Sequence, residues 1–178
     1  MNGPDDPSLE ICVLRVAGGK ISPHLSAVEP GSDLPFTGPY GHFTFRPSRA
    51  HPLFIATGTG IAPFVSMVRA GASGFTLLHG VRASGDLYYE ASFRDAAAKV
   101  VPCLTAPEPG EIPRPDLFIG DVRAYLETEL PRGRYDFYLC GRGEMTRDVT
   151  LLVDERFQGS RVYTEIFFSG HNQEESME

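Results

Sequence analysis

The hydrophobic pattern of the chain changes character near residue 50. Residues 9–16 (LEICVLRV) carry closely spaced apolar positions and read as a strand. A glycine turn (AGGKIS) follows, then a short apolar segment through Leu25 and Val28. PGSD and GPYG mark further turns, and residues 34–37 and 42–45 read as short strands. The pattern is that of an antiparallel β region. At about 50 residues it is too short for a complete six-stranded barrel, so it predicts a partial one.

From His51 onward, strand and helix patterns alternate. PLFIAT reads as a strand, and IAPFVSMVRAG as a helix with Pro63 in its first turn, where a missing N–H costs nothing. FTLLHG is the next strand, residues 88–98 a weak helix, and VVPCLT a strand that Pro102 pushes toward a sheet edge. A Pro-rich loop spans 107–115. DVRAYLETEL is a helix with Asp121 as its N-cap. YDFYLC, GEMTRDVTLLVDERF and RVYTEIFF complete the series, and the polar residues after 168 read as a disordered tail. The predicted fold is α/β: a five-stranded parallel sheet of order 3-2-1-4-5, covered on both faces and preceded by the partial antiparallel barrel. The units implied are 1–48, 49–168 and the tail 169–178.

That order has a switch point between its first and fourth strands, and ligands bind there, beyond the carboxyl ends of the strands. Two loops fall at it. The first strand runs into Gly58-Thr59-Gly60-Ile61-Ala62-Pro63, and the fourth ends in Cys140-Gly141, with Glu144 and Met145 opening the next helix. Glycines at a strand-to-helix turn allow a ligand close to the backbone, and the helix start offers free N–H groups to a pyrophosphate. By itself such a turn is equally compatible with a structural role. Cys140 reads either as a small buried residue or as a ligand contact, Arg82 as a phosphate partner or a solvated charge, and Met145 as core.

Composition narrows the classes. A net charge of -7 argues against a general nucleic-acid binder. No apolar run is long enough to span a membrane, and the acidic start lacks a secretory pattern. Three scattered cysteines (Cys12, Cys103, Cys140) form no disulfide or cluster spacing and read as reduced thiols of a cytoplasmic protein. The histidines show no metal-ligand spacing and read as surface or packing residues, so no metal is expected.

GTGIAPF, HGVRASGDLYYE and YLCGRGEM occur in this order, preceded by GGKIS and GPYGHF. Together they resemble the ferredoxin–NADP reductase family of flavoprotein reductases over nearly the whole chain. The resemblance implies an oxidoreductase that takes hydride from NAD(P)H onto FAD and passes single electrons to a separate ferredoxin or similar iron–sulfur protein. It implies Gly19, Lys20, Ile21, Ser22, Thr59 and Phe167 for the flavin. For the NAD(P) dinucleotide it implies Gly58, Gly60, Ile61, Ala62, Pro63, Arg82, Gly141, Glu144 and Met145. Cys140 and Glu165 are the implied catalytic pair. The family's Arg-x-Tyr-Ser/Thr flavin motif is absent. The chain therefore reads as N-terminally truncated, and a partner chain completing the barrel is a second expectation, with an inactive or partner-dependent nucleotide-binding subunit as the alternative function. Leu104-Thr105-Ala106-Pro107 holds no arginine where NADP-preferring members often place one, which favours NADH unless Arg114 or Arg147 compensates.

Overall fold

The structure is a computed structural model that describes residues 1–3, 5–38, 40–108 and 114–166. Six parallel strands form one sheet: β1 (His51–Thr57), β2 (Thr76–Val81), β3 (Lys99–Leu104), β4 (Phe118–Ile119), β5 (Tyr135–Gly141) and β6 (Arg161–Ile166). Their order is β4-β3-β2-β1-β5-β6. The predicted order is contained in it, with a two-residue strand added beside β3. Two residues after a Pro-rich loop are too few to show a period, which is why β4 escapes the sequence pattern. The edge placement of Pro102 holds in part. β4 pairs only with Cys103 and Leu104, so the outer side of β3 is open as far as Pro102.

Five α-helices accompany the strands: α1 (Ser22–Ser26), α2 (Ala62–Arg69), α3 (Glu90–Phe93), α4 (Val122–Thr128) and α5 (Gly143–Arg156). α2 starts with proline in its first turn, and Asp121 caps α4 by accepting from Ala124 N at 2.7 Å. The weak helix expected over 88–98 shrinks to α3.

Successive residues of a strand face opposite sides of a sheet, and β1 displays the two faces directly. Leu53 and Ile55 bury against α4 and α5 through Val122, Leu126, Val149 and Phe157. Phe54 and Ala56 bury against α2 through Phe64, Val65 and Met67, together with Phe75 and Phe93. Cys103 lies in the first layer, and burial pushes its thiol up to about 12. The cysteines are free.

The strands expected over 9–16, 34–37 and 42–45 do not form. Among the described residues, the part before His51 holds one short helix and no strand. A strand needs a hydrogen-bonded neighbour, and a lone hairpin is marginal in water. None of these segments finds a pairing partner among the described residues, and many apolar side chains before residue 41 stay in solvent: Leu9, Ile11, Leu14, Val16, Phe36 and Tyr40 are all at least 55% exposed. The region is nevertheless attached. Phe43 meets the Phe64 ring edge-on at 5.8 Å, Phe45 meets Phe54 likewise at 5.8 Å, and the buried Tyr138 hydroxyl accepts from Arg46 N and donates to Arg46 O. At the other end, Glu10 accepts from Arg69 Nη1 (2.7 Å) and from the Tyr89 hydroxyl (3.0 Å), which keeps its carboxyl below the usual range. The tail expected after 168 lies outside the described residues.

Candidate dinucleotide site

The tips of β1 and β5 meet because parallel pairing sets Ala56 beside Cys140. Beyond them, Thr57 Oγ1 accepts from Arg142 N at 3.1 Å and ties the two loops together. The approach is too close for side chains. A Cβ on Gly60 would run into the Cys140 carbonyl. A Cβ on Gly141, whose φ is +146°, would run into Thr57 Oγ1. These two glycines are required by the junction itself, before any ligand is considered.

His79, at the end of β2, is 2% exposed. Its Nε2 donates to Gly58 O at 3.1 Å, and burial holds its pKa below the ordinary 6.5. The ring is therefore neutral at pH 7, with its proton on the nitrogen that faces Gly58. The unfolded chain binds a proton at a pH where the folded chain does not, so stability rises with pH up to and through 6.5. His79→Leu should remove that slope and leave the Gly58 carbonyl unpaired, at a cost of about 1–3 kcal/mol. Urea unfolding of both proteins across the acidic range measures both effects.

Two adjoining cavities, each of about 550 Å³, open at the strand tips and share Thr57, Thr59, Arg142 and Glu144. This volume is in the range of small-molecule sites. Gly60 and Gly141 line the first cavity. Gly58, Arg82 and Met145 line the second, which runs across the tips of β2 and β3 to Thr105, Asp121 and Arg123. Of the residues expected at the dinucleotide, Gly58, Gly60, Arg82, Gly141, Glu144 and Met145 are thus gathered at one place. Ile61 is buried behind the loop, and Ala62 and Pro63 form the start of α2. Met145 also packs on the core layer, so its two readings coexist.

Thr57, Thr105, Asp121, Arg123 and Arg142 line the cavities although their residue types gave no signal. Their positions were legible: Thr57 and Thr105 follow strand tips, Arg142 follows Gly141, and Asp121 is a helix cap.

Cys140 and Glu165 sit opposite each other across β5 and β6. Burial, and then the nearby Glu165 carboxylate, push the Cys140 thiol up to about 12. It is a neutral thiol at pH 7, fit for contact and not for nucleophilic attack. Burial also raises the Glu165 pKa. Neither residue is among the described residues lining the cavities.

The residues expected at the flavin are not brought together. Gly19–Ser22 form a turn at the start of α1, with Ile21 71% exposed. The Ser22 hydroxyl is engaged by Val16 N at 3.0 Å. Thr59 stands at the cavity, and Phe167 lies outside the described residues.

Residues 54–150 match the family model of the oxidoreductase NAD-binding domain. The chain belongs to this family. It is 41% identical over 95 residues to ferredoxin–NADP reductase B of Sorangium cellulosum strain So ce56, covering 49% of this chain and 39% of that protein. It is 29% identical over 167 residues to the toluate 1,2-dioxygenase electron transfer component of Pseudomonas putida, covering 86% and 47%. Its fold matches that of an Amycolatopsis cytochrome P450 reductase with a TM-score of 0.65 at 28% identity, over 87% of this chain and 50% of that one. The chain spans less than half the length of the curated relatives it matches.

Proposed function

We propose that this chain supplies the nicotinamide-dinucleotide half of a flavoprotein reductase that oxidises NAD(P)H and passes electrons through FAD to a separate one-electron acceptor, such as a ferredoxin. One observation carries the reading: the Thr57–Arg142 junction holds two glycine loops at the switch point over two adjoining cavities of small-molecule size. The names of the relatives, a ferredoxin–NADP reductase and a dioxygenase electron transfer component, supply the reaction class.

In this reading Gly58, Thr59 and Gly60 bring backbone up to the pyrophosphate, and Arg82 and Arg142 offset its charge. The nicotinamide is directed toward the β5–β6 side, where Cys140 gives an uncharged wall and Glu165 a carboxyl. FAD supplies the step from two-electron to one-electron chemistry when bound.

The residues present do not build a seat for FAD. Lys20 and Ile21 are exposed, Gly19 and Ser22 are half-buried, none of the four lines either cavity among the described residues, and the Arg-x-Tyr-Ser/Thr motif is absent from the sequence. The exposed apolar side chains before residue 41 support the second reading, a subunit whose barrel is completed by strands from another polypeptide. Among the described residues no helix is long and apolar enough to cross a membrane, and a cytoplasmic setting is part of the proposal.

The test is a titration of the purified chain with NADH and NADPH, alongside its visible spectrum after incubation with FAD and desalting. Dinucleotide binding without retained flavin is the expected result. Failure to bind either dinucleotide would overturn the reading. A retained flavin band that bleaches under anaerobic NADH would overturn the partner-dependent form, because the chain alone would then be a working reductase.

A further inference from the structure

We propose that Asp121 makes this site selective for NADH over NADPH, by accepting the 2′-hydroxyl of the adenosine ribose and repelling a 2′-phosphate. The inference rests on the dinucleotide reading above and adds to it the residue that reads the coenzyme.

The sheet order places the adenosine. β5 and β6 lie on one side of β1, and β2, β3 and β4 on the other. A dinucleotide whose pyrophosphate sits at the β1 loop must send its halves to opposite sides. With the nicotinamide toward Cys140 and Glu165, the adenosine lies over the tips of β2, β3 and β4.

Those tips are laced together. Thr105 N donates to Val81 O at 3.1 Å, Ala106 N to Arg82 O at 2.8 Å, and Gly120 N to Leu104 O at 2.9 Å. The lacing gathers Arg82, Thr105 and Asp121 at the outer end of the second cavity. Asp121 is held there by its capping bond from Ala124 N to Oδ1. Its Oδ2 has no hydrogen-bond partner among the described residues, and the residue lines the cavity.

The charge around it disfavours a further anion. Arg123 also lines this end but is paired with Glu127 at 3.0 Å. Arg114 is committed to Glu90 and Asp116, and Arg147 to Asp148. Neither of these two lines the cavity among the described residues. Arg82 and Arg142, which both line this cavity, carry no ion pair among the described residues, and in the dinucleotide reading both serve the pyrophosphate. A 2′-phosphate would bring close to two negative charges against the Asp121 carboxylate, with each lining arginine already engaged by Glu127 or, in this reading, by the pyrophosphate. A 2′-hydroxyl there donates a charge-assisted hydrogen bond, the use to which dinucleotide folds put an acidic residue.

The experiment compares Kd for NADH and for NADPH, by calorimetry at one ionic strength, in the unaltered chain and in Asp121→Asn. Asparagine caps a helix as well as aspartate does, so the variant removes charge and keeps α4. The unaltered chain should bind NADH about tenfold or more tighter, and Asp121→Asn should shrink that ratio about tenfold, chiefly through stronger NADPH binding. A ratio unchanged in Asp121→Asn, or NADPH bound as tightly as NADH by the unaltered chain, would overturn the assignment while leaving the dinucleotide reading intact. Binding of neither coenzyme would overturn that reading and this assignment with it.

Discussion

Gly141→Ala should both destabilise the chain and disable the dinucleotide site. The backbone at this position has φ +146°, a conformation that side-chain-bearing residues rarely adopt, and holding alanine there costs about 1–3 kcal/mol. The added methyl also meets Thr57 Oγ1, with Thr57 N and O at 3.0 and 3.1 Å. Overpacking of this kind costs about 1–3 kcal/mol more. In a chain of this size the sum corresponds to a Tm lower by on the order of 10 °C. The backbone can relieve the contact only by parting the two loops, which breaks the bond from Arg142 N to Thr57. NADH affinity should then fall by about tenfold or more. Thermal melts and an NADH titration check both halves of the expectation, and an unchanged Tm with unchanged affinity would mean that the loops are not locked together. Removing the obstructing hydroxyl should recover part of the loss. Thr57→Ala combined with Gly141→Ala should cost less than the two single effects added, because the two residues are in contact.

The same junction shows how the sequence encodes the site. Gly58, Gly60 and Gly141 are visible as glycines at the ends of apolar runs, and the alternation of strand and helix patterns places both runs at the switch point. The fold from His51 onward was legible for that reason: its strands are short apolar runs, and its helices carry start signals such as Pro63 and Asp121. What the pattern does not carry is pairing across space. The bond from His79 to Gly58 joins strand β2 to a loop 21 residues away in sequence, and nothing in the residue type His79 announces it. The same holds for Asp121, whose capping role is plain in the sequence and whose place at the cavity is not. The region before residue 50 shows the opposite failure. A strand is a relation between segments, and among the described residues these segments pair with no neighbour.

Phe54→Ala is expected to cost the most stability of any single change in the layer between the sheet and α2. Phe54 is fully buried, with its ring stacked on Phe75 at 4.2 Å and on Phe64 at 4.7 Å. It meets Tyr138 edge-on at 5.3 Å and Phe45 at 5.8 Å. Truncating such a ring removes its transfer energy and leaves a cavity between rings that cannot all close in, at about 3–5 kcal/mol. Marginally stable domains have about 5–15 kcal/mol in all, so the variant should lose a large share of its urea midpoint. The position of Phe54 adds a second consequence. It supports Phe45, and with Tyr138 it is the surface on which residues 43–46 rest, so amide exchange at Arg46 should accelerate more than at Leu139, on the same sheet. Phe36→Ala is the matched control. Phe36 is 71% exposed, and its loss should change stability by no more than about 0.5 kcal/mol. Equal urea midpoints for the two variants would mean that residues 43–46 and the aromatic stack are not packed as one layer. The expected inequality would show that the N-terminal region is held by a few aromatic contacts with the sheet.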